Sequence, residues 1–129
     1  MELTNQGSTV HKGWGKELVW ANNERYSGKI LVFERAGAKT SMAQHKTRRK
    51  SWFVNAGKFR LTYIDVNTGE IKEAMLSEGS TIDLAELSPH QLEALDDNSI
   101  IFEVGTADSP EDVLRLIPGD SQTLPQEQQ

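Results

Sequence analysis

Two histidines and a lysine are the residues of this sequence whose types and spacing could do chemistry. His45 and Lys50 lie in residues 43–59 (AQHKTRRKSWFVNAGKF), where one histidine stands among four basic residues ahead of an apolar run. His90 follows in a second stretch, LSPHQLEALDD. A neutral imidazole is a common metal ligand, whereas imidazoles beside an ammonium group suit a phosphate or a carboxylate better. The sequence therefore raises two hypotheses of opposite charge, a cation site and an anion site.

Composition excludes several classes of function. The 129 residues fit a single domain, and 14 Lys plus Arg against 19 Asp plus Glu give a net charge of -5. This charge provides no general attraction for nucleic acid or for anionic membranes. Because there is no cysteine, disulfides, thiolate zinc sites and cysteine nucleophiles are excluded. The sequence shows no signal-peptide core and no membrane-spanning apolar run, so we expect a cytoplasmic protein that binds neither nucleic acid nor membrane.

Short apolar segments alternate with turn signals along most of the chain. The clearest hairpin is FRLTYIDVNTGEIKEAML, residues 59–76, in which the sequence NTG supplies the turn. Many short strands at regular spacing are typical of an antiparallel sandwich or barrel. The composition of the two ends predicts a flexible arm over residues 1–11, one domain over residues 12–120 and a disordered tail over residues 121–129.

Two segments carry local helix signals. In SPEDVLRL, Ser109 is a suitable N-cap and Pro110 stands at the first helical position, which predicts a short C-terminal helix. In LSPHQLEALDD, Ser88 and Pro89 repeat this arrangement, and propensity alone predicts a helix over residues 88–96.

The first stretch resembles the first motif of the cupin superfamily. That motif contains a glycine, a histidine pair in HxH form, a glutamate and a second glycine. At the corresponding spacing this chain has Gly37, Ala43, His45, Lys50 and Gly57. Positions 43 and 45 share one face of a strand, as two ligands of one ion must.

The resemblance extends to the second motif and to the flanks. EGSTIDLAELSPHQLEA is similar to the second cupin motif, with Gly79 at its start and His90 at the place of its histidine. The flanking segments look like those of small single-domain cupins of bacteria and phages, which are similar to the cupin domain of mannose-6-phosphate isomerases. The resemblance covers residues 12–120. It implies an all-β fold, a cupin-type double-stranded β-helix or jelly-roll barrel, followed by the short C-terminal helix. It also competes with the helix prediction for residues 88–96.

The resemblance implies a metal site that this sequence does not complete. In cupins the motif residues hold one manganese, iron, zinc or nickel ion in the mouth of the barrel. Here Ala43 replaces the first histidine and Lys50 replaces the glutamate, so two imidazoles remain where a stable site needs three or four donors. We predict no tightly bound metal; if a divalent ion binds weakly, His45 and His90 hold it.

The residues expected at the barrel mouth define the functional hypotheses. His45, Lys50, Trp52 and His90 are predicted to form a pocket for a small anionic ligand, for example a sugar phosphate, in a binding or protein-interaction module. One alternative is a weakly metal-dependent enzyme similar to sugar-phosphate isomerases, for which no catalytic residue is predicted. Another is a structural jelly-roll assembly component.

Simpler interpretations compete with the pocket. Lys50 could continue the solvated basic run Lys46, Arg48 and Arg49 with its charged end in water. This run is more typical of a solvated turn than of a nucleic-acid patch. We further expect a homodimer in which the N-terminal segment ELVWANN is the contact strand.

Overall fold

The computed structural model describes residues 7–120, so residues 1–6 of the predicted arm and the predicted tail over residues 121–129 lie outside the described residues. Residues 7–120 contain no helix that is long and apolar enough to cross a membrane. They form eleven strands: β1 Ser8–Lys12, β2 Gly15–Asn22, β3 Tyr26–Phe33, β4 Met42–His45, β5 Lys50–Ala56, β6 Phe59–Ile64, β7 Ile71–Leu76, β8 Thr81–Leu84, β9 His90–Ala94, β10 Ser99–Thr106 and β11 Val113–Ile117.

The strands form two antiparallel sheets. One has the order β1-β2-β3-β10-β5-β8 and the other the order β11-β4-β9-β6-β7. Strands distant in sequence are neighbours in both sheets, as for β3 and β10 or β4 and β9. The all-β prediction is therefore confirmed.

The core fills the space between the two sheets. Phe33, Phe59, Leu92 and Ile101 are fully buried, and the ring of Phe33 stacks on that of Trp14 with centroids 4.3 Å apart. Full burial of one such side chain contributes roughly 1.5–3 kcal/mol. Because side chains alternate along a strand, the residues that follow these core positions at two-residue spacing also point inward.

The predicted hairpin over residues 59–76 is confirmed. Strands β6 and β7 pair from Phe59 with Leu76 to Ile64 with Ile71. The turn closes on Asp65, whose carbonyl accepts a 2.7 Å hydrogen bond from the amide of Gly69.

The helix that propensity predicts over residues 88–96 is wrong. His90–Ala94 is strand β9, which lies between β4 and β6, and its burial alternates because successive side chains of a strand point to opposite faces of the sheet. The preceding turn places Leu87 at a φ of 56°. Pairing with two neighbouring strands and burial of Leu92 outweigh the local propensity.

The predicted short C-terminal helix is reduced to one 3-10 turn, Pro110–Asp112. The side chain of Ser109 makes no capping hydrogen bond, and from Val113 the chain continues as β11, paired with β4. Instead of continuing a helix, the carboxylate of Asp112 accepts hydrogen bonds from the backbone amides of residues 46–48. The turn therefore fastens β11 to the loop that carries the basic run.

Residues 8–11 of the predicted flexible arm form strand β1 instead, paired from Ser8 with Val19 to Lys12 with Gly15. Strand β2 contains most of the segment predicted as a dimer strand. It lies between β1 and β3 and so has no free edge. The indole of Trp20 lies against the backbone at Gly28. The homodimer stays a prediction.

Candidate functional site

The four residues predicted to share a pocket line one cavity between the two sheets. The cavity has a volume of about 350 Å³, and its lining includes His45, Lys50, Trp52 and His90. The register of the strands explains this, because Ala43 pairs with His90 across β4 and β9, and His45 lies two residues further along the same face. Lys50 and Trp52 share one face of β5 for the same reason.

Lys50 directs its ammonium group into the cavity. Its Nζ lies 3.4 Å from Nε2 of His45 and 3.7 Å from Oε1 of Glu103. It also lies 5.2 Å from the ring centroid of Trp52. With 10% of its side chain exposed, Lys50 does not hold its charge in bulk water, so the simpler interpretation as a solvated lysine is wrong. Burial lowers the pKa of Lys50; Glu103 opposes this effect, and Arg48 reinforces it.

Glu103 is the buried counter-charge of the site. Its Oε2 accepts a 2.9 Å hydrogen bond from Nη2 of Arg48, and its Oε1 accepts a 2.8 Å hydrogen bond from Nε1 of Trp52. Although burial raises the pKa of Glu103, the charges of Lys50 and Arg48 outweigh this and lower it to about 2. The carboxylate is therefore ionised at neutral pH, and both its oxygens already have a donor.

Arg48 departs from the solvated turn predicted for the basic run. It is 3% exposed and donates a 2.8 Å hydrogen bond from Nη2 to the hydroxyl of Ser27. Its neighbours Lys46 and Arg49 are exposed, and Arg49 pairs with Asp83 at 2.6 Å. The basic run is therefore divided between the cavity and the surface.

Both cavity histidines are neutral at pH 7. Burial, followed by the charge of Lys50, lowers the pKa of His45 to about 4 and that of His90 to about 3. Nδ1 of His90 lies 2.7 Å from the carbonyl oxygen of Ser88 and must donate to it, which leaves Nε2 with the lone pair. Nδ1 of His45 lies 3.4 Å from the carboxylate of Asp112 but forms no hydrogen bond.

A second group of charges lines the same cavity. Lys29 forms a short hydrogen bond to Asp108 and lies 3.7 Å from Glu17. Burial lowers the pKa of Lys29, but these two carboxylates outweigh it and the pKa is raised. Lys29 is therefore a fully paired cation.

The cavity lining carries an excess of positive charge. Its ionised side chains include five cations against three carboxylates, namely Lys12, Lys29, Arg48, Lys50 and Arg115 against Glu17, Glu103 and Asp108. Within residues 7–120, Lys12 and Arg115 form neither an ion pair nor a side-chain hydrogen bond. Two cations of the lining are thus available to a ligand, in a chain whose net charge is -5.

Sequence reasoning missed Glu103, Arg48 and the two unpaired cations. A signal for Glu103 was present, because it is the one charged residue of the strand SIIFEVGT and follows Ile101 at two-residue spacing. Its role became visible only through the pairing of β10 with β5, which sets Glu103 opposite Trp52.

Known proteins resemble this chain in structure and not in sequence. No protein-family model matches the sequence, and no curated protein matches it. Solved structures do match: the capsular polysaccharide assembling protein CapF of Staphylococcus aureus superposes with a TM-score of 0.74 at 18% identity over 88% of this chain. Oxalate decarboxylase of Bacillus subtilis gives 0.75 at 16% identity over 90% of this chain. The chain has the cupin fold.

The matches differ in how much of the other protein they cover. This cupin-fold chain spans about a third of the length of CapF and of oxalate decarboxylase, 33% in each case. KdgF of Halomonas sp. is matched over 81% of its length and 74% of this chain, with a TM-score of 0.61 at 20% identity. Such identities establish a shared fold, and the jelly-roll prediction is thereby confirmed.

A divalent metal does not fit the residues of this cavity. The cupin fold implies one, and manganese(II) centres are described for the oxalate decarboxylase of Bacillus subtilis. Here Ala43 offers no donor atom, and Nε2 of His45 already contacts the ammonium group of Lys50. Residues 7–120 contain no cluster of three or more histidine, cysteine, aspartate or glutamate side chains suited to an ion. A metal would have to displace an ammonium group and bind with two protein donors, fewer than stable sites use.

Proposed function

We propose that this protein uses its cupin cavity to bind a small anionic ligand, such as a sugar phosphate, without a metal ion. The observation that carries the proposal is the pair of unpaired cations, Lys12 and Arg115, in the lining of a cavity of about 350 Å³. This volume lies within the range of small-molecule sites. We also propose, from the sequence, a homodimer located in the cytoplasm.

The rest of the lining suits a polyhydroxylated anion. Neutral His90 offers a ring nitrogen, Nε2, that can accept a hydrogen bond from a hydroxyl group, whereas Nε2 of His45 contacts Lys50. Trp52 offers an apolar wall beside them. The phosphate or carboxylate of the ligand then accepts hydrogen bonds from Lys12 and Arg115, because hydrogen bonds between ionised partners are about twice as strong as neutral ones.

The carboxylate beside Lys50 does not suit the isomerase alternative. Such a reaction requires a base near the substrate, and the cavity carboxylate that lies beside Lys50 is Glu103. With a pKa of about 2 and with donors on both oxygens, Glu103 is a poor proton acceptor. Binding is therefore the function that we propose.

Isothermal titration calorimetry with mannose 6-phosphate, on protein treated with EDTA, tests the proposal. We expect binding that is at least about tenfold weaker for uncharged mannose, because a hydrogen bond to a charged group contributes about 1.5–3 kcal/mol. Lys12→Gln and Arg115→Gln should each weaken the binding by a similar factor. Lys58→Gln, on an exposed lysine outside the cavity lining, is the matched control and should bind normally.

Two results would contradict the proposal. The first is equal affinity for mannose and mannose 6-phosphate, which would show that the phosphate group does not contribute to binding. The second is the absence of binding to mannose 6-phosphate, glycerol 3-phosphate and inorganic phosphate alike.

A further inference from the structure

We propose that Lys50 is a nucleophilic amine that forms a reversible imine with a small aldehyde or ketone bearing an anionic group. The inference goes beyond binding, because it assigns a covalent step to the cavity. It rests on the proposed function in one respect, namely that the anionic group of the compound is held by the unpaired cations.

The hydrogen bonds of Lys50 are the first argument. An ammonium group has three N–H donors, and the structure gives Lys50 one hydrogen-bond partner, Nε2 of His45 at 3.4 Å. Glu103 lies at 3.7 Å, and its two oxygens accept shorter hydrogen bonds from Arg48 and Trp52. The charged form of Lys50 is therefore poorly satisfied for a buried group.

The second buried lysine of the cavity is the contrasting case. Lys29 has two carboxylates of its own, Asp108 and Glu17, and its pKa is raised. Burial lowers the pKa of Lys50 despite Glu103, and Arg48 and Lys29 reinforce this effect. The two lysines line the same cavity, but only the surroundings of Lys50 lower the pKa of the side chain and so increase the fraction of neutral, nucleophilic amine.

The surroundings of Nζ also leave a place for a carbonyl compound. Nζ borders a cavity of about 350 Å³, with the face of Trp52 at 5.2 Å on one side. His45 Nε2 accepts a hydrogen bond from the amine and so orients its lone pair. The unpaired Lys12 and Arg115 line the same cavity and are available to an anionic group of the same molecule.

The step balances without an oxidant or reductant. Lys50 releases one proton to solvent, and the neutral amine attacks the carbonyl carbon, forming a C–N bond as the oxygen takes up a proton. The resulting carbinolamine then loses water to give the protonated imine. Overall, one ammonium group and one carbonyl compound give one iminium ion and one water molecule.

Reductive trapping tests the inference on the full chain. The protein is incubated with glycolaldehyde phosphate and sodium cyanoborohydride at pH 7.5, and the alkylated lysines are mapped and quantified by peptide mass spectrometry. We expect alkylation of Lys50 to be faster than that of exposed Lys46, Lys58 and Lys72, because a lowered pKa increases the fraction of neutral amine. Lys50→Arg, which keeps the charge, should abolish the rapid alkylation at position 50. Lys46→Arg should leave the rapid alkylation of Lys50 unchanged.

Neutral glycolaldehyde and calorimetry with glycerol 3-phosphate separate this inference from the proposed function. Fast alkylation of Lys50 by the phosphorylated aldehyde, with slow alkylation by glycolaldehyde, supports both. Equal alkylation of Lys50 by the two aldehydes supports the imine and contradicts anion binding. Alkylation of Lys50 no faster than that of exposed lysines overturns the imine, whether or not glycerol 3-phosphate binds. Because mapping is done on the wild-type chain, the result does not depend on the folding of any variant.

Discussion

The side-chain nitrogen of Lys50 lies 3.4 Å from Nε2 of His45, so a side chain of the protein itself contacts the nitrogen that would otherwise be free for a ligand. The ammonium group also approaches a carboxylate, Glu103, and the face of Trp52. The imidazole of His45, the carboxylate of Glu103 and the ring of Trp52 thus surround Nζ of Lys50. The electrostatics of the cavity follow from this arrangement.

The first prediction concerns the titration of the two cavity histidines. Replacing Lys50 by methionine should raise the pKa of His45 from about 4 and that of His90 from about 3, because a nearby positive charge disfavours a second one. Both values should stay below 6.5, since burial is the larger cause in each case. NMR titration of the imidazole carbon-bound protons measures the change.

Lys50→Arg is the matched control for this titration, because it keeps the charge while changing the side chain. Histidine pKa values that do not move in Lys50→Met would show that the ammonium group is not held beside the imidazoles in solution.

The second prediction concerns stability in acid. Below pH 6.5 the histidines of the unfolded chain take up protons, whereas His45 and His90 in the folded chain stay neutral until about pH 4 and about pH 3. The unfolded state therefore binds more protons, and the free energy of unfolding should fall as the pH falls, by up to about 1.4 kcal/mol per pH unit for each histidine. Urea denaturation at several pH values between 7 and 4.5 measures the slope.

A variant with His45→Gln and His90→Gln isolates the contribution of these two residues. It should show a flatter dependence on pH in this range, whereas His11→Gln, on the exposed strand β1, should keep the wild-type slope. An unchanged slope in the double variant would assign the acid sensitivity to other groups.

Much of the fold could be predicted because its signals are local. The glycines of the two motifs are an example: Gly57 and Gly79 have φ values of 80° and 89°, which favour glycine at turns. A Cβ on Gly57 would also lie 2.1 Å from the hydroxyl oxygen of Ser99. The cupin resemblance placed His45 and Lys50 at the barrel mouth, and strand parity added Trp52, which lies two residues from Lys50; all three line the cavity.

The remainder depends on contacts that the linear sequence does not display. Trp52 and Glu103 are 51 residues apart, and only the pairing of β5 with β10 makes them hydrogen-bonded neighbours. The same dependence explains the failed helix over residues 88–96, where tertiary pairing outweighed a good capping signal. Arg48 and the exposed Arg49 are adjacent in sequence, and which of them is buried is decided by the partners across the sheet.

The third prediction concerns the buried ion pair between Arg48 and Glu103. Glu103→Gln removes the counter-charge of two buried cations, Arg48 and Lys50, and should lower the free energy of unfolding by about 3–5 kcal/mol. Chemical denaturation at pH 7 measures the loss. The exposed pair of Arg49 and Asp83 is the matched control, since its side chains are 55% and 57% exposed. Asp83→Asn should cost about 0–1 kcal/mol, and a similar cost for both variants would contradict the burial of the Glu103 charge.

The fourth prediction concerns the metal site that the cupin resemblance implies. The purified wild-type protein should contain less than one equivalent of any divalent metal, because its cavity presents two imidazoles and an ammonium group. A variant that combines Ala43→His with Lys50→Glu supplies four donors at the motif positions, and the cation that repels an ion is gone. Ala43 lines the cavity, so an imidazole introduced there points toward the other two. This variant should bind about one equivalent of added manganese or nickel, measured by elemental analysis after gel filtration.

Two controls decide whether that ion would lie at the predicted place. Adding His45→Ala to the variant and introducing Lys50→Glu alone each leave three donors instead of four, so both proteins should bind the ion less tightly than the combination. A wild-type protein that carries one equivalent of metal, lost in a variant with His45→Ala and His90→Ala, would contradict the proposed metal-free function. It would also require Lys50 to leave Nε2 of His45, because one lone pair cannot serve an ion and an ammonium group at the same time.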